Sequence, residues 1–374
     1  NDTFEDYGLF TQVEQLNKTA LKAHGLDKSG HLYKVNSFDF HRFEETIRLT
    51  DDPDYNQAAF EGMLEIKGDS DHTKLIEMLD ALNDDSQKID DVLDTYFDTE
   101  NLVYWLAFQI LTGNCDTQNR NCYLYSPLNS KVWYFLDWDN DGMLRKLELS
   151  LTGFSDYASW ERGVSNYWGN VLFNRALRSK SFRRELDDAV KDLRSYMTEE
   201  RLGKMIDHYR EVTELLVFAA PDLDNLPVTK DEYEQIAAAI PSEIEENYKS
   251  YRESYKKPMP FYIGVPQIEN GKLRVNWDAA YDFEARDIRY TVELARDYAI
   301  ADVVFKAEDV LLPEVTCDAP DAGQYFVRVR ATNSDGYTQD AFDYYVTDDG
   351  KQYGMKCFYV QDGGKVVEDT YAEG

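Results

Sequence analysis

The sequence predicts an α+β protein in which a mostly helical part precedes an all-β sandwich. Apolar residues recur at helical spacing through much of residues 73–255. After the linker Lys256–Pro260, the apolar period changes to that of β-strands. We therefore expect one domain over residues 1–255, a second over 256–350, and a strand pair with a tail over 351–374.

The charge of the chain limits its partners. Its 374 residues include 71 acidic and 40 basic side chains, which gives a net charge of −31. Nucleic acids and anionic membranes bind cationic surfaces, so we expect neither as a partner. No apolar run approaches the roughly 20 residues that span a bilayer, so no membrane insertion is expected. A cation binder, or a protein that acts on basic partners, fits this charge.

Short elements are predicted at the N-terminal end. Tyr7–Glu14 alternates like a strand, Gln15–His24 has the pattern of a short helix, and His31–Val35 forms another strand. Two interpretations of Glu14 and Lys34 stay open. They form an ion pair at a nucleotide site, or they are a surface glutamate and a lysine at a strand end.

A central helix is predicted to end just before residue 113. Phe60–Lys67 is a strand or a short helix, and Thr73–Leu82 has apolar residues at helical spacing. Asp98 is a good N-cap for the next helix, which is apolar nearly all round and ends at Gly113. We expect this helix to lie in the core.

More helices are predicted toward residue 255. Asn170–Met197 has the pattern of one or two amphipathic helices. Thr229 and Ser242 each begin a capping box, and Pro241 is the expected break between their helices. The acidic run of residues 243–246 is predicted to be a solvated helix face.

Two acidic sites flank a predicted hairpin. Its strands are Cys122–Tyr125 and Lys131–Leu136, joined by a turn. The hairpin should bring together the polar side chains on both sides of it, which are Asp116, Asn121, Asp137, Asp139 and Asp141. This order of parts, an Asp, an Asn five residues on, a hairpin and a further Asp, matches a phosphoryl-transfer site. The first Asp would orient or deprotonate the attacking hydroxyl, and the Asn and the later Asp would hold a metal on the phosphates.

A calcium loop is an alternative interpretation of the same residues. The calcium-loop consensus is matched by Asp137, Asp139, Asp141, Gly142 and, at the twelfth position, Glu148. The strand-like sequence before the loop argues against a true EF-hand, in which a helix precedes the loop. A solvated acidic turn is the third interpretation.

The cysteines do not predict a metal site. Cys115, Cys122, Cys317 and Cys357 include no CxxC pair, so zinc is not expected. Cys115 and Cys122 bracket the Asp116 loop, and either a disulfide or two free thiols is compatible with their positions.

The C-terminal part resembles a fibronectin type III module. Strands are predicted at Leu273–Trp277, Ile288–Leu294, Asp302–Phe305, Leu311–Cys317, Gln324–Thr332 and Asp340–Val346. The resemblance is carried by the pattern from Tyr325 to Gly336 and by Trp277 some fifty residues earlier, and it covers about residues 260–347. Such modules are spacers or docking units.

The first 250 residues contain a set of short motifs in a recognisable order, which are Tyr7–Phe10 with Glu14, Leu32–Lys34, Gly113-Asn114, Asp116, Asn121, Tyr123–Tyr125, Trp133 and Trp138-Asp139-x-Asp141. In order and spacing these motifs resemble the spore-coat CotH family of atypical protein kinases. The resemblance implies a kinase-like fold with an incomplete N-terminal part and a mostly helical large lobe.

The family resemblance also implies roles for the site residues. Asp116 would be catalytic, Asn121 and Asp139 would be metal ligands, and Asp141 would assist them. Glu14 and Lys34 match positions near the nucleotide.

Family members phosphorylate Ser on coat or surface proteins, using ATP with Mg²⁺ or Mn²⁺. We therefore expect a Ser/Thr kinase of the spore coat, the cell surface or the secreted fraction, with a basic, Ser-rich protein substrate. No signal peptide is expected within these residues. The alternative is an inactive surface or structural protein of the same fold that binds Ca²⁺.

The sequence departs from the family pattern at three places. Gln118 stands where His is common, and Asp137 stands where an uncharged residue is usual. The chain begins close to the Tyr7–Phe10 segment, so the strands that help to cover ATP in the family are expected to be absent from it. Weaker nucleotide binding is the expected consequence.

Overall fold

The structure is a computed structural model that describes residues 5–152, 158–348 and 350–369. The chain forms two compact units, one of Asn1–Ser155 with Asn170–Lys249 and the other of Asp156–Gly169 with Ser250–Gly374. The predicted α+β class is confirmed, because helices dominate the first unit and antiparallel sheets the second. No described helix is long and apolar enough to cross a membrane.

The described part of the chain forms ten α-helices, and the predicted caps Asp98 and Thr229 directly precede two of them. The helices are α1 (Lys18–Ala23), α2 (Gln57–Met63), α3 (Thr73–Asn83), α4 (Ile89–Tyr96), α5 (Thr99–Thr112), α6 (Lys146–Leu151), α7 (Val171–Arg178), α8 (Lys180–Tyr196), α9 (Glu199–Val217) and α10 (Lys230–Ser254). Thr229 and Glu232 form the predicted capping box, since each side chain accepts a hydrogen bond from the backbone N–H of the other.

A small antiparallel sheet supports the predicted hairpin. Its strands are β1 (His31–Val35), β2 (Leu64–Ile66), β3 (Cys122–Ser126) and β4 (Tyr134–Asp137), in the spatial order β2-β1-β3-β4. Trp105 of α5 packs on this sheet, with its ring 4.9 Å from that of Phe135. On α5, nine residues are buried, including Leu106 and Leu111, so the helix lies in the core as predicted.

Two predictions about secondary structure are wrong. Tyr7–Glu14 forms no strand, and its alternating apolar side chains are exposed, with Tyr7 at 73% and Phe10 at 77%. Within the described chain this segment pairs with no other strand, so its alternation has no sheet face to cover. The helix break at Pro241 is absent because α10 continues through the proline, and Ser242 donates its hydroxyl to the Ala239 carbonyl instead of capping a new helix.

The second unit is a sandwich of antiparallel strands. Its strands are β5 (Gln267–Glu269), β6 (Lys272–Asn276), β7 (Ile288–Ala295), β8 (Val303–Val310), β9 (Glu314–Asp318), β10 (Gly323–Asn333), β11 (Thr338–Asp340), β12 (Tyr344–Thr347), β13 (Gly350–Tyr353), β14 (Met355–Val360) and β15 (Val366–Glu368). One sheet has the order β15-β14-β10-β7-β8, with β11 beside β10, and another has the order β5-β6-β9. Trp277, Tyr290 and Tyr325 belong to the core that the two sheets share.

The strand pair predicted after residue 351 is part of the second unit. Met355–Val360 pairs with β10 inside the main sheet, so the predicted strand pair belongs to the sandwich. The aromatic stretch before residue 169, which the sequence leaves unassigned, also joins this unit. Trp160 packs on Phe342 at 5.0 Å and Trp168 stacks on Tyr281 at 5.3 Å. The last five residues of the predicted tail lie outside the described chain.

Candidate active site

The candidate site begins at the C-terminal end of α5. The side chain of Asp98 accepts the Asn101 N–H at 2.9 Å, as predicted for the N-cap, and Gly113 ends the helix with a left-handed φ of 67°. A Cβ at Gly113 would lie 2.7 Å from Nδ2 of Asn247, so the position requires glycine for space as well as for conformation. Asn247 donates that same Nδ2 to the Leu111 carbonyl at 3.0 Å.

Asp116 lies exposed on a short 3₁₀ turn directly after this helix end. The turn spans Cys115–Thr117, and Asn114 caps it by accepting the Asp116 N–H at 3.3 Å. Asn121 donates Nδ2 to Oδ2 of Asp116 at 2.8 Å, and Nε of Arg120 lies 3.5 Å from Oδ1. These contacts hold the Asp116 side chain in place. It is 56% exposed, so it is still open to a reactant.

The hairpin brings the second acidic segment to the same place. Cys122 is paired with Asp137 at the end of the β3–β4 ladder, so Asn121 and Asp139 both lie just beyond that end. Both have left-handed backbone, with φ of 57° and 59°, a conformation that Asn and Asp tolerate better than most residues. A Cβ at Gly142 would lie 2.7 Å from Oδ1 of Asn114, so the two loops are in direct contact.

Asp137 is tied to the protein interior rather than to its acidic neighbours. Gln109, which is fully buried on α5, donates Nε2 to Oδ1 of Asp137 at 2.9 Å. Desolvation of the carboxyl by surrounding protein atoms raises the pKa of Asp137, and the Gln109 hydrogen bond opposes that rise. Asp137 as a whole is exposed, but the carboxyl oxygen that Gln109 contacts faces the helix.

Asp139 and Asp141 retain the chemistry of a hard-cation site. Both side chains are exposed, and neither has a hydrogen-bond or ion-pair partner in the described chain. The Asn121 amide nitrogen is used by Asp116, which leaves its oxygen for a ligand. Carboxylate and amide oxygens are what Mg²⁺ and Mn²⁺ prefer, so these three residues fit such an ion. No group of three or more His, Cys, Asp or Glu is preassembled for a metal among the described residues.

Glu148, the twelfth residue of the calcium-loop alternative, lies on α6 with another partner. It forms a bidentate pair with Arg145, with N–O distances of 2.9 and 2.8 Å. A calcium ion would have to displace this arginine and also take Asp137 from Gln109. The calcium loop therefore stays a prediction that requires rearrangement of two side chains.

Lys34 and Glu14 do not form the ion pair that one interpretation expected. Glu14 bonds Nε2 of His24 at 2.8 Å. Lys34 lies on β1 between Glu65 of β2 and Tyr123 of β3, and its Nζ is 5.6 Å from the centre of the Trp138 ring. Because Trp138 immediately precedes Asp139, the structure brings Lys34 to the acidic loop without Glu14.

Helix α10 supports the site in a way that sequence reasoning missed. Glu243 is only 6% exposed and accepts the Lys146 N–H at the start of α6. Burial raises the pKa of Glu243, and hydrogen bonds from the backbone of Lys146 and Leu147 partly offset the rise. Glu245 is paired with Arg194 and Glu246 with Lys146. The acidic run is therefore not a solvated face, because its charges are used to cap and anchor neighbouring helices.

The cysteines next to the site are thiols. Cys115 and Cys122 are both free, which leaves the disulfide alternative unformed in this structure. Cys122 is buried, and burial raises the pKa of its thiol. Neither is placed as a metal ligand.

Comparison with known families gives a match over most of the chain. The sequence model described as CotH kinase protein matches residues 1–255. The chain belongs to the CotH kinase family. Within this CotH-family chain, the matched residues include the Asp116 turn, the hairpin and the acidic loop, and membership supports a kinase-like function for that part.

Other comparisons add little to the family assignment. Among curated proteins, none matches the chain. One structural match is the twitchin kinase region from C. elegans (Fn31-NL-kin-CRD-Ig26), with 18% identity and a TM-score of 0.20. That match covers 25% of this chain and 20% of the other, which is too little to support an inference about fold or function.

Proposed function

We propose that the protein is an atypical Ser/Thr protein kinase that transfers the γ-phosphoryl group of ATP to a coat or surface protein. The observation that carries the proposal is the position of Asp116. Its carboxylate is exposed, anchored through Asn114 and Asn121, and in a loop that contacts an acidic loop with two unpaired carboxylates. An exposed, fixed base beside a cation-binding loop is what phosphoryl transfer requires.

In this mechanism Asp116 orients the acceptor hydroxyl of Ser and takes its proton. The hydroxyl oxygen forms a bond to the γ-phosphorus while the bond from that phosphorus to the β–γ bridging oxygen breaks, and ADP leaves. Asn121 and Asp139, assisted by Asp141, would hold Mg²⁺ or Mn²⁺, which supplies positive charge to the phosphate oxygens. Lys34 approaches the acidic loop from β1 and would contact the phosphates.

The substrate we propose is a basic, Ser-rich protein of the spore coat or the cell surface. A protein with a net charge of −31 attracts basic partners and repels acidic ones over the range of a Debye length. Family membership favours a coat protein. The sandwich unit is proposed as a fibronectin type III-like docking or spacer module, a role for which its all-β topology is suitable.

Transfer of labelled phosphate from [γ-³²P]ATP to a basic, Ser-rich protein tests the proposal. Asp116→Asn should reduce the rate by at least about 100-fold, because the general base is lost, and should leave the thermal midpoint near that of the wild type. Asp94→Asn is the matched control, since Asp94 is an exposed carboxylate on α4. Full transfer by Asp116→Asn would remove Asp116 from the mechanism.

A non-catalytic cation-binding protein is the second candidate. The two unpaired carboxylates of Asp139 and Asp141 favour it, because they can bind Ca²⁺ without any nucleotide. Binding of Ca²⁺ to the wild type, with neither ATP binding nor phosphate transfer, would select this function.

A further inference from the structure

Two buried amide side chains connect the catalytic loop to the acidic loop. Gln109 has no exposed surface and Asn114 is 2% exposed. A buried amide that leaves a donor or acceptor unpaired is costly, so the pairing of these groups fixes how each amide is turned. Neither side chain is exposed enough to bind a metal ion or a substrate, so both act through other residues.

The hydrogen bonds are all donated in one direction, from Asp116 toward Asp137. Gln109 donates Nε2 to Oδ1 of Asp137 at 2.9 Å, and its Oε1 accepts Nδ2 of Asn114 at 3.0 Å. Oδ1 of Asn114 then accepts the backbone N–H of Asp116 at 3.3 Å. We call Asp137, Gln109, Asn114 and Asp116 the amide relay.

The carboxylate of Asp137 sets the polarity of the relay. Oδ1 of Asp137 accepts the hydrogen bond, so Gln109 presents its NH₂ group to Asp137 and its oxygen to Asn114. Asn114 must then direct its own oxygen toward the Asp116 N–H. That same oxygen lies against Gly142, where a Cβ would come within 2.7 Å, so the acidic loop is held at the same point.

We propose that Gln109 is a positioning residue for phosphoryl transfer, because it fixes the Asp116 turn relative to the loop of Asp139 and Asp141. This inference rests on the proposed function for the roles of Asp116 and Asp139. It also gives a role to Asp137, the carboxylate that departs from the family pattern: Asp137 orients the relay rather than binding the cation. Loss of the relay should misplace the base relative to the metal loop while leaving the Lys34 side of the site unchanged.

A reversal of the donor and acceptor at one bond tests the relay. In Gln109→Glu the new carboxylate still accepts from Asn114, but its charge repels that of Asp137, and no hydrogen lies between them while both are ionised. In Asp137→Asn the new amide can donate, so the double variant Gln109→Glu/Asp137→Asn restores a hydrogen bond with its direction reversed. We expect Gln109→Glu to lower kcat about tenfold or more, with the KM for ATP changed by less than about twofold. The double variant should recover kcat to within about threefold of Asp137→Asn alone.

Gln339→Glu is the matched control, because Gln339 is a glutamine of the sandwich unit that is 1% exposed and donates to Ser159. It should lower the thermal midpoint without changing kcat. A kcat for Gln109→Glu equal to that of the wild type, or no recovery in the double variant, would overturn the relay.

Thermal unfolding of the wild type, Gln109→Glu, Asp137→Asn and the double variant without ligand separates the relay from the proposed function. If the wild type transfers no phosphate, the proposed function fails, and the unfolding cycle still tests the relay. Non-additive midpoints, with the double variant more stable than Gln109→Glu, would support the hydrogen bond between positions 109 and 137. Additive midpoints would overturn it.

Discussion

Nδ2 of Asn121 donates a hydrogen bond of 2.8 Å to Oδ2 of Asp116. The bond joins the two residues whose five-residue spacing first indicated a phosphoryl-transfer site. It holds the Asp116 carboxylate and at the same time turns the Asn121 oxygen away from that carboxylate. The Asn121 oxygen is the atom that a hard cation requires. The two assigned roles, base and metal ligand, are therefore compatible in one geometry.

Lys34, and not Glu14, should affect nucleotide binding. Lys34→Met should weaken ATP binding about tenfold or more, because a charge-assisted contact to phosphate is lost. Glu14→Gln should change the affinity less than about twofold, because Glu14 is bound to His24. Isothermal titration calorimetry measures both. An equal loss in the two variants would restore the ion-pair interpretation.

Glu148 should not contribute to cation binding. Its carboxylate is paired with Arg145, so Glu148→Gln should change the affinity for Ca²⁺ or Mn²⁺ by less than about twofold. Asp141→Asn should weaken binding of the same ions more, because an unpaired carboxylate ligand is removed. A tenfold loss of Ca²⁺ affinity in Glu148→Gln would favour the calcium loop instead.

Stability should depend on the protonation of His72. Desolvation lowers the pKa of His72 to about 4, while Asp71 and Asp69 oppose the shift and His31 reinforces it. Its two ring nitrogens bond Tyr33 at 2.9 Å and Tyr55 at 3.1 Å. A histidine whose pKa is lowered by folding favours the folded state above its unfolded pKa of about 6.5, and this stability is lost as the pH falls toward 4.

The loss between pH 6.5 and 4 should amount to about 3 kcal/mol at most. Denaturant unfolding at a series of pH values measures it. His72→Gln keeps a donor and an acceptor without a proton to gain, so its stability should change less over this range. The same slope in wild type and His72→Gln would assign the pH dependence to other groups.

Glu243 should stabilise the fold as a hydrogen-bond acceptor, while its negative charge destabilises it. Since burial raises the pKa of Glu243, the folded state loses stability as the pH rises through that pKa and the carboxyl becomes charged. Glu243→Gln keeps an oxygen for the Lys146 N–H and should be at least as stable as the wild type at pH 8. Glu243→Ala leaves that N–H without its cap and should lose about 1–2 kcal/mol. Chemical denaturation distinguishes these outcomes, and a stability for Glu243→Gln as low as that for Glu243→Ala would show that the charge is required.

Local signals in the sequence predicted much of this fold. Asp98 and Thr229 cap their helices, Gly113 ends α5, and the hairpin after Asn121 places its two flanking segments together. Each of these features depends on residues a few positions apart, and their conformational preferences decide the result.

The relations that the sequence did not reveal join residues far apart in the chain. Glu243 caps a helix that begins 97 positions earlier, and Gln109 reaches Asp137 across 28 positions. Composition and periodicity do not encode such pairings, so the acidic run predicts a solvated face and nothing in the pattern singles out the core glutamine. The helix break predicted at Pro241 is absent for another reason, because packing of a long helix outweighs the local cost of proline.

We propose that the Asp116 turn and the acidic loop together form a metal-dependent nucleotide site. Calorimetric titration of ATP into the protein with Mg²⁺, Mn²⁺ or Ca²⁺ tests it most directly, with Asp139→Ala in parallel. We expect saturable ATP binding that requires Mg²⁺ or Mn²⁺ and is lost in Asp139→Ala. Cation binding without ATP binding, or ATP binding unchanged in Asp139→Ala, would contradict it.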